Sequence, residues 1–223
     1  MIPDRSLLSR ALPFALFIGF IALDGVLADA AMAIGMDPRW WYAVRATAVA
    51  GLLAWFWRDY GELHGVAGVR MADWALAVGV GLAVFVLWIN LDVPLLAMSG
   101  GDGFDPRTDG RIDWGMAAFR VAGAALVVPV MEELFWRSFV MRWIQGHDFL
   151  KVAPCQVGTK ALLVSSVLFA LEHHLWFAGL LAGLAYGWLY IRTGNLWVAV
   201  VAHAVTNGVL AAWVLYTGQW TFW

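Results

Sequence analysis

The chain has 223 residues, and its 14 Lys and Arg against 16 Asp and Glu give a formal net charge of −2. Hydrophobic residues make up 62% of it and charged residues only 13%. A soluble domain of this size has a more polar surface, so the composition excludes that class and predicts a polytopic membrane protein. No basic cluster is present that would bind nucleic acid. The single cysteine, Cys155, excludes an internal disulfide and a cysteine-rich metal site.

Apolar stretches along the chain predict seven hydrophobic segments, several of which approach the ~20 residues that span a bilayer core. They cover residues 11–34, 40–57, 74–94, 114–145, 161–175, 177–191 and 196–216. We expect an all-α bundle of about 7–8 transmembrane helices. It would form a single integral membrane domain over residues 1–223, with the catalytic helices within 114–216. The fourth segment is long enough for one tilted helix or a broken pair, with a kink near Pro129.

The placement of Lys and Arg predicts the orientation in the membrane. With a cytoplasmic N-terminus, eight basic residues lie inside and three lie outside, as the positive-inside rule favours. The inside set is Arg5, Arg10, Arg58, Arg70, Arg142, Lys151, Lys160 and Arg192, and the outside set is Arg39, Arg107 and Arg111.

A carboxylate pair, Glu132 and Glu133, lies with Arg137 inside the fourth apolar segment. A charge at such depth costs about 3 kcal/mol on insertion scales and usually serves a function. Glu133 and Arg137 have the i,i+4 spacing of a helical ion pair, which predicts a structural role for Glu133. Glu132 is rotated by ~100° from Glu133 and should be unpaired, so it can act as a general base. The alternative is that both glutamates only stabilise the bundle.

Histidines and an asparagine interrupt two later helices. Phe169 precedes His173 by four residues and should pack on its ring, whereas the neighbouring Glu172 and His174 should face elsewhere. His203 and Asn207 share one helix face, where two donors could stabilise an oxyanion. The alternative for each histidine is a hydrogen bond between helices.

Depth along the helices allows these residues to meet. At 1.5 Å per residue, Glu132, His173 and His203 lie about 12 to 20 Å above the inner ends of their helices, near the middle of the membrane.

Two further patterns concern packing. Gly179, Gly183 and Gly187 form a stripe of small residues that should let neighbouring helices approach closely. Asp24 and Asp29 of the first segment are expected to form structural ion pairs with Arg45 or Arg120.

Three motifs occur in order in the C-terminal half: Glu132-Glu133-x3-Arg137, Phe169-x3-His173 and His203-x3-Asn207. Together they resemble the CAAX-protease and bacteriocin-processing family of intramembrane endopeptidases, over about residues 114–216. Longer stretches are similar to the bacterial CAAX prenyl protease-related subfamily that accompanies exosortase systems. These stretches are residues 131–138, 171–176, 190–197 and 218–223.

The resemblance implies a glutamate-type protease without a cofactor. Glu132 and His173 would activate water, His203 and Asn207 would hold the oxyanion, and Glu133, Arg137 and Phe169 would support them. It implies a membrane-anchored protein or peptide substrate, the lipid bilayer of a bacterial inner membrane, and an exosortase-type sorting system as a partner. It does not imply a prenylated substrate.

Two alternatives stay open. Glu132, His173 and His203 could ligate zinc, although no His-Glu-x-x-His pairing on one helix supports this. The chain could also be a non-catalytic membrane partner in protein sorting or immunity.

Overall fold

The computed structural model describes residues 4–98 and 103–223, which form a bundle of eight α-helices. The helices are α1 (Arg5–Ala22), α2 (Asp24–Ala33), α3 (Trp41–Trp55), α4 (Met71–Asn90), α5 (Trp114–Gln145), α6 (Thr159–Ala170), α7 (Trp176–Thr193) and α8 (Leu196–Thr217). Two short antiparallel strands, β1 (Arg107–Thr108) and β2 (Arg111–Ile112), form a hairpin before α5. The predicted all-α class is confirmed.

Each predicted hydrophobic segment contains at least one helix. The first is interrupted at Leu23, which divides it into α1 and α2, and the fifth ends early, at Ala170. By length and apolar composition, α1, α4, α5 and α8 could each cross a membrane, whereas α3 and α6 have only 15 and 12 residues. The count of seven to eight spans therefore stays a prediction.

Helix α5 settles the alternative left open for the fourth segment, because it is one helix of 32 residues rather than a broken pair. Pro129 lies inside it between two π-helical stretches, Gly123–Val127 and Leu134–Met141. Such wider turns are frequent at functional sites. They change the direction of side chains on α5 before and after the two glutamates.

The two predicted sets of basic residues lie at opposite ends of the bundle. At the N-terminal end, Arg5 pairs with Asp59 at 3.0 Å, and the Asn195 side chain donates to the Gly65 carbonyl. At the other end, here called the hairpin end, Arg39 donates to the Asp105 carbonyl, and Phe104 N–H donates to the Trp220 carbonyl. The separation fits a membrane crossing between the two ends, and which end is cytoplasmic stays a prediction.

The glycine stripe lies where α7 meets the end of α6, as expected. A Cβ at Gly183 would lie 3.0 Å from Ser166 Cα, and one at Gly187 would lie 2.5 Å from Leu162 Cδ1. Gly81 likewise allows α4 to pack closely against α8, since a Cβ there would lie 2.5 Å from the Ala202 carbonyl oxygen. These close approaches pack α7 against α6, whose end leads into the turn of His173, and α4 against α8, which carries His203 and Asn207.

Candidate active site

The four residues predicted to be catalytic line one cavity of about 290 Å³. Glu132 comes from α5, His173 from the turn between α6 and α7, and His203 and Asn207 from α8. The expected convergence of three helices is therefore present.

Glu132 has the unpaired environment that the helix geometry predicted. Its side chain is buried, and its Oε2 atom has no hydrogen-bond partner among the described residues. The nearest cationic candidate is His203, whose Nε2 lies 3.9 Å from Oε2, beyond hydrogen-bond distance. A buried carboxylate oxygen with neither a hydrogen bond nor an ion-pair partner within salt-bridge distance other than this histidine is unusual in proteins.

Glu133 has the opposite environment. It is 0% exposed, and its Oε2 lies 3.1 Å from Arg137 Nε, so the predicted ion pair is present, although this contact lacks hydrogen-bond geometry. Its Oε1 accepts a hydrogen bond of 3.0 Å from His203 Nδ1, which sequence spacing had not indicated. Arg137 also donates to the Gly183 carbonyl and lies 4.4 Å from the Phe169 ring centroid. Glu133 thus connects a fixed arginine on its own helix to a histidine of α8.

The bond to Glu133 determines what His203 can do. Because the carboxylate accepts, Nδ1 carries a proton. A neutral ring then presents Nε2 as an acceptor, and only a ring protonated at both nitrogens presents Nε2–H as a donor. The ring is held flat against Tyr186, with centroids 4.9 Å apart and an interplanar angle of 18°. Nε2 is therefore the ring nitrogen that remains for chemistry near Glu132.

His173 is oriented by its own helix end. Nδ1 donates to the Phe169 carbonyl at 2.8 Å, so the neutral ring keeps Nε2 as a proton acceptor. The Phe169 ring packs on the imidazole with centroids 4.5 Å apart, as predicted, and Trp88 meets it edge-on at 5.4 Å. Gly179 leaves room for this arrangement, because a Cβ there would lie 3.2 Å from His173 Cβ.

Asn207 is held by a backbone carbonyl of α5, since its Nδ2 donates to the Ala124 oxygen at 2.9 Å. In this π-helical stretch the Val128 N–H bonds to the Gly123 carbonyl, five residues earlier. The same pattern would pair Pro129 with Ala124, but proline has no N–H. Asn207 takes the place of that missing donor, and its second amide hydrogen remains available to the cavity.

Two expectations about neighbouring residues are wrong. Glu172 does not face elsewhere: it lines the same cavity and accepts a hydrogen bond of 3.0 Å from Trp136 Nε1. The turn that follows Ala170 ends the helix, so the helical rotation assumed between Glu172 and His173 does not apply. Asp24 and Asp29 form no ion pair with Arg45 or Arg120 among the described residues, because both arginines pack on aromatic rings instead.

Tyr186 and Thr206 also line the cavity and were not predicted. The Tyr186 hydroxyl donates to Thr206 Oγ1 at 2.7 Å, and Thr206 lies 2.8 Å from the Gly81 carbonyl oxygen. Tyr186 lies three residues after Gly183 of the stripe, which is the only sequence signal that it faces this region.

The zinc alternative can be compared with the positions of the donors. In the part of the chain that the structure describes, no group of three His, Cys, Asp or Glu side chains is placed to hold a metal ion. The three residues considered for zinc line one cavity, yet they do not form a ligand set.

Comparison with known proteins gives one match, which lies over this site. Residues 114–209 match the family model described as "Type II CAAX prenyl endopeptidase Rce1-like". No curated protein and no solved structure matches the chain. The matched segment contains Glu132, His173, His203 and Asn207. It covers less than half of the chain, and it supports the CAAX-protease family and a membrane-embedded peptidase in general.

Proposed function

We propose that the chain is an intramembrane endopeptidase of the glutamate type, cleaving membrane-anchored proteins near a C-terminal anchor or sorting signal. The observation that carries the proposal is the buried, unpartnered carboxylate of Glu132 in one cavity with two histidines and an asparagine. The family match over the same helices supports it.

The arrangement suits attack by water on a peptide carbonyl. Glu132, with Nε2 of His173 as a second acceptor, holds a water molecule and removes its proton as the oxygen attacks the carbonyl carbon. The resulting oxyanion accepts hydrogen bonds from the Asn207 amide and from Nε2–H of a doubly protonated His203. When the C–N bond breaks, Glu132 returns the proton to the leaving amine.

Glu133 and Arg137 are positioning residues in this scheme. The Glu133 carboxylate holds His203 through Nδ1, which directs Nε2 towards the site of charge development. Arg137 fixes Glu133 and is itself fixed by the Gly183 carbonyl and the Phe169 ring. Such preorganised donors need no rearrangement during the reaction.

The cavity also has an entrance suited to a membrane-embedded substrate. Ile18 and Ile21 of α1 line it and are 37% and 48% exposed on the apolar surface of the bundle. A hydrophobic peptide segment could reach Glu132 from the bilayer by passing these residues. The proposed setting is the inner membrane of a bacterium, beside an exosortase-type sorting system, with the N-terminus in the cytoplasm.

The test uses purified protein with hydrophobic peptides that represent C-terminal anchors, and mass spectrometry to map the products. We expect wild-type protein to cleave some of them and Glu132→Gln to lose activity while keeping its fold in detergent, because the substitution removes the base and preserves the shape. Asp148→Asn, which changes an exposed carboxylate three residues after the end of α5, is the matched control and should keep full activity. Wild-type turnover by the Glu132→Gln protein would refute the assignment, and no cleavage by wild type would favour the non-catalytic alternative.

A further inference from the structure

Two arginines lie in the wall between the candidate active site and a second cavity. Arg45 of α3 and Arg120 of α5 line both the active-site cavity and a cavity of about 600 Å³ at the hairpin end. Neither residue belongs to the three motifs, and the mechanism above does not use them.

The two cations share an aromatic neighbour and lack a counter-ion. Both guanidinium carbons lie within 5.0 Å of the Tyr42 ring centroid, at 5.0 Å for Arg45 and 4.3 Å for Arg120. The Nε atoms of both arginines are buried and have no hydrogen-bond partner in the described part of the chain. No described carboxylate lies within salt-bridge distance of either group; Asp24, which lines the second cavity, acts on the Arg45 charge only from beyond that distance.

The protein holds the two arginines close to each other through its helix packing. Gly123 lets α5 press against Tyr42, since a Cβ there would lie 2.6 Å from the Tyr42 hydroxyl oxygen. Aromatic faces stabilise a guanidinium, yet they leave its N–H groups without acceptors. Like charges at this depth repel, and ionisable residues in membrane helices usually mark a substrate pathway. An anion between them would remove the repulsion and supply the missing acceptors.

We propose that Arg45 and Arg120 bind the C-terminal carboxylate of the polypeptide that is cleaved. The inference rests on the proposed endopeptidase function and adds to it the substrate feature that is recognised. Planar guanidinium groups match a carboxylate in geometry, and two of them can hold both of its oxygens. Because the arginines line the same cavity as Glu132, the scissile bond lies a short distance before the free C-terminus.

The experiment compares two forms of one cleaved peptide, identical except for a C-terminal carboxylate or a C-terminal amide. We expect wild-type protein to cleave the carboxylate form with a kcat/KM at least about tenfold higher. Arg45→Met and Arg120→Met should each lower the ratio of kcat/KM for the carboxylate form to kcat/KM for the amide form towards one. Arg111→Gln, which removes an exposed arginine of the hairpin, is the matched control and should keep the preference.

Two further variants cover the case in which a methionine variant does not fold. Arg45→Lys and Arg120→Lys keep the charge but lose the paired N–H groups of the guanidinium. We expect their preference for the carboxylate peptide over the amide peptide to be weaker than that of wild type and stronger than that of the methionine variants. Melting temperature in detergent reports folding separately. An unchanged preference in folded lysine and methionine variants would overturn the inference.

The outcomes separate this inference from the proposed function. Equal cleavage of both peptide forms by wild type would leave the endopeptidase standing and overturn the carboxylate site. If neither form is cleaved, the proposed function fails. The binding affinity of the Glu132→Gln protein for dansyl-labelled forms of the two peptides then decides the inference, and equal affinities for the two forms would overturn it.

Native mass spectrometry from phosphatidylglycerol and phosphatidylcholine nanodiscs tests whether a lipid phosphate is the anion that the arginines bind. Arginine-dependent retention of phosphatidylglycerol with no peptide preference would overturn the assignment to the substrate.

Discussion

Arg137→Met tests how far the buried triad of Arg137, Glu133 and His203 stabilises the bundle. The substitution keeps most of the side-chain volume but leaves Glu133, which is 0% exposed, with His203 as its remaining partner. Removing one partner of a buried ion pair costs about 3–5 kcal/mol, because the other charge stays desolvated. For a chain of this length each kcal/mol lowers the melting temperature by roughly 2–4 °C, so the expected decrease is roughly 6–20 °C.

The assay is a double-mutant cycle followed by thermal unfolding in detergent. Glu133→Gln should also destabilise the protein, since it leaves the arginine charge uncompensated, while the glutamine oxygen can still accept from His203. The double variant should lose less than the two single losses combined, with a coupling free energy of about 0.5–3 kcal/mol. Arg70→Met is the control, because the Arg70 side chain is exposed and its partner Asp73, at 2.9 Å, keeps the hydrogen bond from the Arg70 backbone N–H, so the loss should be small.

Strictly additive losses in this cycle would refute the reasoning, because they would mean that Arg137 and Glu133 do not interact. A loss at Arg137 no larger than that at Arg70 would show that desolvation of Glu133 is not the dominant effect. Arg137 also contacts the Gly183 carbonyl and the Phe169 ring, so its single loss should exceed that of Glu133→Gln.

Two further predictions concern the chemistry. Asn207→Ala should lower kcat by about 10²-fold or more and change KM little, because the amide acts mainly in the transition state. His203→Ala should have the same effect, and the double variant should lose less activity than the two single losses combined, because both donors serve one oxygen. Steady-state kinetics on a cleaved peptide check this, and a change confined to KM would contradict it. Activity should survive exhaustive chelation, with well under one zinc per chain by elemental analysis; stoichiometric zinc, with activity lost to chelator and restored by zinc, would establish the metalloprotease alternative instead.

The sequence predicted those contacts that depend on spacing along one helix. The Glu133–Arg137 pair and the packing of Phe169 on His173 follow from i,i+4 geometry, and both are present. The convergence of three helices followed from counting residues along each of them. These predictions succeed because the rise and rotation of a helix are fixed by its backbone.

Contacts between helices could not be predicted in the same way. The bond from His203 to Glu133 depends on the register of α8 against α5, which no local pattern encodes. Glu172 was placed wrongly because the helix ends at Ala170 and the following turn redirects the chain into the cavity. Pro129 was read only as a kink, whereas its missing N–H also leaves a carbonyl for Asn207 to bind. The first and third cases needed knowledge of which helices face each other, and the second needed the point at which α6 ends.

The two adjacent glutamates show how one residue type takes two roles through its surroundings. Glu133 has an arginine and a histidine at 3.1 and 3.0 Å, so its charge is compensated and its position is fixed. Glu132 has His203 no closer than 3.9 Å and an oxygen without a partner, so proton transfer is open to it. Neighbouring positions on a helix point about 100° apart, and one residue therefore cannot reach both environments. Exchanging the roles would require rotating α5 against α8, which Asn207 and the Ala124 carbonyl hold in register.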